Sequence, residues 1–183
     1  MDALTGRLFD LIQADGDAMA QLRVLRRFAL PQGRIGAGFV RNRVWDALSG
    51  NAAAPGGDVD VLFFDPADAT RARDRRLDAA FSEALPGVDW QVRNQARMHR
   101  LHGDAPYACV EDALRHWLET ATAVAVWLDG ADRLHCVAPW GLDDLFSLVL
   151  RPSPTGRRRP AELLARMDAK GWRRRWPGLR LAL

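Results

Sequence analysis

The sequence predicts an α/β fold, a layer of strands and helices closed by a C-terminal hairpin and helix. Three observations carry that prediction. Between residues 34 and 93 short apolar runs alternate with helical stripes, in the order strand, helix, strand, helix, strand. The run at residues 58–64 is apolar throughout after its two acids, as expected of a strand covered on both faces. The chain has 183 residues, 48% of them hydrophobic and seven of them Trp, enough to bury one sizeable core.

Residues 3–13 carry Leu4, Leu8, Leu11 and Ile12 at helical spacing. Asp15-Gly16-Asp17 breaks that helix, and Asp17 is placed to cap a second over residues 18–28. Arg34-Ile35 is a short strand that enters the glycine turn Gly36-Ala37-Gly38. Val40, Val44, Trp45 and Leu48 then give a helix over residues 39–48, and residues 50–57, rich in small residues and Pro, read as a mobile loop. A helix over 68–85 and a strand over 88–93 follow. Residues 94–107 read as a short helix and a loop, residues 110–119 as a helix. Two β-rich runs at 122–128 and 133–138 flank Asp129-Gly130-Ala131-Asp132, a hairpin signal. A short helix over 141–149 precedes the linker residues Pro152, Pro154 and Gly156. We therefore expect one domain over residues 1–154, N-terminal helices included, and a basic helix and tail over 155–183.

The net charge of +3 hides an asymmetry. Residues 151–183 hold nine Arg and Lys170 against Glu162 and Asp168, about +8, which leaves −5 for the rest. Such a tail can be a solvated helix face or can face nucleic acid. Trp172 and Trp176 sit among its arginines, where they either pack or stack on bases. Cys109 and Cys136 form no CxxC pair and read as free thiols. There is no apolar run of the roughly 20 residues needed to cross a membrane, and no signal-like N-terminus, so a cytoplasmic protein without membrane partners is expected.

The chemistry concentrates in residues 36–60. Asp58 and Asp60 share one face of a strand, about 6.5–7 Å apart, and Val59 and Val61 take the other face. Carboxylates in an apolar strand call for water, a cationic partner or metal. Glycines at Gly36 and Gly38 let a backbone approach phosphate and present amides at a helix start. Together these predict phosphate chemistry assisted by a divalent metal, Mg²⁺ or Mn²⁺. Arg41 and Asn42, at the start of the next helix, are phosphate candidates by position, and so is Arg97 as a bidentate donor. A third metal ligand should come from the next strand. Asp89 is the acid there, and Gln91 stands mid-strand, where it offers only a carbonyl oxygen. Asn94, Gln95 and His99 are further candidates that serve either substrate or a loop-fixing network. His102, His116 and His135 read as structural.

Several blocks bring a family into view: GAGFVRNRVWDALSG, DVDVLFFD, WQVRNQARMH, GDAPY, EDALRHWLETATAV and APWGLDDLF. Over residues 22–154 the chain resembles a bacterial nucleotidyltransferase-like family, similar in outline to the polymerase β-type nucleotidyltransferase superfamily. The resemblance implies a nucleotidyltransferase-type mixed sheet flanked by helices, α/β or α+β in class. It implies transfer of a nucleoside monophosphate from an NTP to an acceptor it does not identify, with Gly36 and Gly38 in the phosphate-holding loop and Asp58 and Asp60 as the metal-binding pair. Two features depart from the superfamily pattern: Ala37 separates glycines that usually stand in tandem with Gly or Ser, and Gln91 occupies the place of the third acid. A second reading is therefore a non-catalytic module that binds a nucleotide or nucleic acid, the latter through the Arg-rich tail. A third is a partner-binding domain whose carboxylates are plain surface groups.

Overall fold

A computed structural model describes residues 2–52, 57–101 and 103–183. Its elements are α1 (Ala3–Gln13), α2 (Gly16–Phe28), β1 (Arg34–Gly36), α3 (Gly38–Ser49), β2 (Asp58–Phe63), α4 (Arg71–Ala84), β3 (Asp89–Asn94), α5 (Val110–Arg115), β4 (Ala125–Leu128), β5 (Leu134–Val137), α6 (Asp143–Phe146), β6 (Val149–Leu150), α7 (Pro160–Ala169), α8 (Trp172–Arg175) and β7 (Arg180–Leu181). A 3₁₀ turn covers Gln95–Leu101. Residues 53–56 of the expected loop at 50–57 lie outside the described residues, as does His102.

Five strands form a mixed sheet in the order β3-β2-β1-β4-β5. β2 and β3 run parallel, joined by the α4 crossover, and the remaining pairs are antiparallel. The period-2 alternation of β2 sorts its side chains. Val59, Val61 and Phe63 enter the main core with Ile35, Trp90, Val92 and Val126. On the other face Leu62 packs with Ala125, Val110 and Leu114, so α5 covers the middle of that face. Asp58 and Asp60 alternate in step with Leu62 and lie on this second face.

Local chemistry sets several boundaries away from where periodicity alone puts them. Asp15, not Asp17, caps α2 by accepting from the Ala18 amide at 3.0 Å. α4 begins at Arg71 because Asp68 binds the Thr70 amide and hydroxyl, which turns the chain first, and Thr70 then caps the helix. α5 stops at Arg115, since Glu119 and Thr120 are drawn into pairing with Pro152 and Arg151. α6 is one turn long, and Leu148 takes a positive φ of 50° just before β6.

The tail packs. Trp172 and Trp176 are 2% and 1% exposed and meet Trp45 edge to face, with ring centroids 5.9 and 4.9 Å away. Arg175 and the Trp176 indole N–H both donate to Asp46 on α3. Base stacking by these two Trp is excluded in this arrangement. Cys109 and Cys136 are free thiols, as expected. Among the described residues no helix is long and apolar enough to cross a membrane.

Candidate functional site

The glycine turn is built by crowding on one side and strain on the other. A Cβ on Gly36 would stand 2.9 Å from the Val124 carbonyl oxygen, so only glycine lets β1 lie this close to the approach to β4. Ala37 follows with φ 54° and ψ −126°, a conformation that suits glycine and costs an alanine on the order of 1–3 kcal/mol. It is the N-cap of α3 and makes no side-chain cap, so the amides of the first turn have no side-chain acceptor there. Helix geometry gives those amides no backbone acceptor within the helix either.

Across from this turn stands the acid pair. The parallel register sets Asp58 beside Asp89 and Asp60 beside Gln91, so all four share one face at the amino end of β2 and β3. A cleft of about 570 Å³ opens at this end, lined by Gly38, Asn42, Asp58 and Asp89 among others. Its far wall holds two ion pairs, Arg43 with Asp15 and Arg175 with Asp46. The cleft thus has Gly38 and Asn42 on one wall and Asp58 and Asp89 on another. Asp58 is exposed and Asp60 half-buried. Burial, then the neighbouring charge of Asp58, pushes the Asp60 carboxyl up to about 6, against the pull of Arg166, Arg41 and Lys170.

Gln91 is engaged by protein. Its carbonyl oxygen accepts from Arg93 and its amide donates to Asp89 at 3.2 Å. As a metal ligand Gln91 would share with Arg93 the oxygen it offers. Among the described residues no group of three or more His, Cys, Asp or Glu is arranged to hold a metal ion. Two carboxylates still fit magnesium, which commonly takes one or two from protein and completes its shell with water and phosphate.

Arg41 is not on the cleft wall. It is 5% exposed, donates to Thr122 Oγ1 at 3.1 Å and Asn42 Oδ1 at 2.9 Å, and lies over the Trp172 ring at 4.3 Å. Burial pulls its guanidinium down to about 10, with Glu119 acting in opposition. Arg41 stands beside the turn, not on the cleft wall: its Nη2 lies 3.5 Å from where a Gly38 Cβ would be. Asn42 does line the cleft.

The remaining candidates lie at the wrong end of the sheet. Asn94 pairs with Phe63, five residues beyond the Asp58–Asp89 pair and about 16 Å away at strand spacing. It is fully buried and donates to the Asp65 and Asp68 carbonyls while accepting from the Asp65 and Ala96 amides. Gln95 is buried and donates to the Arg93 carbonyl. Arg97 is paired with buried Asp74. His99 lies edge-on to Tyr107, with centroids 5.9 Å apart. Asn94, Gln95 and Arg97 form the loop-fixing network that was the alternative reading, while the His99 Nδ1 is buried with no hydrogen-bond partner among the described residues, and Arg97 as a phosphate donor at the acid pair is corrected by distance and by its partner. Sequence reasoning missed Glu119, Arg166 and Lys170, whose charges act on Arg41 or on Asp60. Their sequence distance from residues 36–60 gave no local signal.

Comparison with known proteins follows the geometry. A family model described as Nucleotidyltransferase matches residues 23–181. A solved structure described as a CCA-adding enzyme head domain is 29% identical, with a TM-score of 0.85, over 96% of this chain and 94% of its own. The Bacillus stearothermophilus CCA-adding enzyme in complex with CTP is 17% identical, with a TM-score of 0.51, over 90% of this chain and 40% of its own. The Thermotoga maritima CCA-adding enzyme complexed with tRNA is also 17% identical, with a TM-score of 0.54, over 100% of this chain and 40% of its own. The chain thus spans well under half the length of these two enzymes, and at that identity the likeness shows the fold alone. No curated protein matches the chain.

Proposed function

The chain belongs to the nucleotidyltransferase family, with the polymerase β-type fold, and from that premise we propose that it transfers a nucleoside monophosphate from an NTP to an acceptor, with Mg²⁺ or Mn²⁺ held by Asp58 and Asp60. The observation that supports this most is the open cleft that has the uncapped start of α3 on one side and Asp58 on the other. An acceptor hydroxyl oxygen would bond to the α-phosphorus, pyrophosphate would leave, and the hydroxyl proton would pass to solvent or a carboxylate. The bound metal would neutralise charge that develops on the phosphates. The residues of this chain position the rest: the α3 amides and Asn42 take phosphate oxygens, and Asp58 and Asp60 hold the cation. That relatives of this fold have been solved with CTP and with tRNA supports a nucleotide donor and leaves an RNA acceptor as one class to test.

The engaged carbonyl of Gln91 favours a second reading, a nucleotide-binding module that lacks transfer activity. Labelled NTPs incubated with cell extract and Mg²⁺ or Mn²⁺ separate the two. Incorporation that the Asp58→Asn, Asp60→Asn double variant abolishes supports the enzyme. Tight NTP binding without incorporation into any acceptor supports the module.

A further inference from the structure

Two cations of the basic tail, Arg166 and Lys170, act on Asp60, as does Arg41 of α3. Arg166 on α7 donates its Nε to Glu119 Oε1 at 3.3 Å. Glu119 is 1% exposed, and its second oxygen is buried without a hydrogen-bond partner. Its described ion pair is with this one arginine. The Arg166 side chain is 41% exposed, and the protein hydrogen bond described for it uses Nε alone. Its two terminal nitrogens, the fork that takes phosphate oxygens side by side, carry no described partner.

Where that fork stands is set by a chain of contacts. The Arg166 guanidinium lies 5.7 Å from the Trp172 ring, and Arg41 lies 4.3 Å from the same ring. Arg41 in turn stands beside Gly38 in the glycine turn. Lys170 stands four residues after Arg166, on the same side of the helix, and is exposed. Both act on Asp60. The two arginines that line the cleft, Arg43 and Arg175, are already paired with Asp15 and Asp46. A triphosphate brings several negative charges to a site that presents two carboxylates, so cations must meet it there.

The geometry points to Arg166, helped by Lys170, as the arm that binds the nucleotide's phosphates, with Glu119 as the residue that positions Arg166. This rests on the nucleotidyltransferase reading. It assigns the tail to the nucleotide and not to a separate nucleic-acid surface.

The test is calorimetric titration of the full chain with a non-hydrolysable NTP analogue and, separately, with inorganic tripolyphosphate, both with Mg²⁺. Arg166→Gln should weaken both ligands at least tenfold, and Lys170→Gln about threefold. Arg173→Gln, which removes the same charge from an exposed tail position, should change either by less than twofold. Glu119→Gln should weaken both several-fold in the native background and have no further effect on top of Arg166→Gln, a coupling that a purely structural glutamate would not give. If Arg166→Gln does not fold, as judged by its melting curve, Arg166→Lys takes its place and should show a partial loss. Binding by the native chain that Arg166→Gln or Arg166→Lys leaves within twofold overturns this inference and spares the family reading. A native chain that binds neither ligand overturns both.

Discussion

The two ends of the β2–β3 pair carry similar numbers of polar residues and treat them in opposite ways. At the carboxyl end the Asn94 amide makes four hydrogen bonds, two at each atom, and Arg97 pairs with Asp74 in the interior. At the amino end Asp58 lines a cleft, and Asp60, on the same strand face, is pushed up by burial and then by the charge of Asp58. Polar groups that the fold satisfies by itself serve the fold. Those it leaves in want of a counter-charge mark a candidate ligand site.

The largest expected contrast comes from neutralising the acids. Asp58→Asn with Asp60→Asn should reduce Mg²⁺-dependent NTP binding more than 100-fold in calorimetry, while the melting temperature holds or rises, because the pair repels in the metal-free chain. Arg97→Met should do the reverse. It strands the buried Asp74 carboxylate, so denaturant unfolding should show a loss of about 3–5 kcal/mol, with NTP affinity in the folded fraction within about threefold. If instead Arg97→Met abolishes binding at unchanged stability, the ends have been assigned the wrong way round.

Smaller effects sharpen the amino end itself. Gln91→Ala should leave Mg²⁺-dependent NTP binding within about threefold, because its carbonyl already serves Arg93; a tenfold loss would make Gln91 a ligand. Ala37→Gly should stabilise the chain by about 1 kcal/mol in urea unfolding, since relief of positive-φ strain outweighs the added chain entropy. A destabilised Ala37→Gly variant would mean that the turn carries no strain.

Much of this was legible in the sequence, and the reasons are local. Asp58 and Asp60 share a face because strand periodicity is two, and Gly36 to Gly38 announces a turn before a helix. The helical stripes of α1 and α3 and the hairpin around Asp129 follow from the same rules. What escaped depends on partners far along the chain. Arg41 sits one turn into a helix, where position alone does not say whether it faces the cleft or the core. The answer is Trp172, which folds back from the tail. Arg97 next to Asn94 and Gln95 looked like a substrate cluster, and only the parallel register of β2 and β3 carries it to the opposite end. Charge counting marked the tail as basic but could not tell that Arg166 and Arg175 turn inward to Glu119 and Asp46.

The central claim is a cation site shared by two carboxylates across from the amides of α3. Crystals grown with Mn²⁺ and a non-hydrolysable NTP analogue test it most directly through the anomalous signal of manganese. The account predicts a peak bridging Asp58 and Asp60 with the triphosphate lying toward Gly38, and a peak elsewhere, or a nucleotide bound away from that cleft, would contradict it.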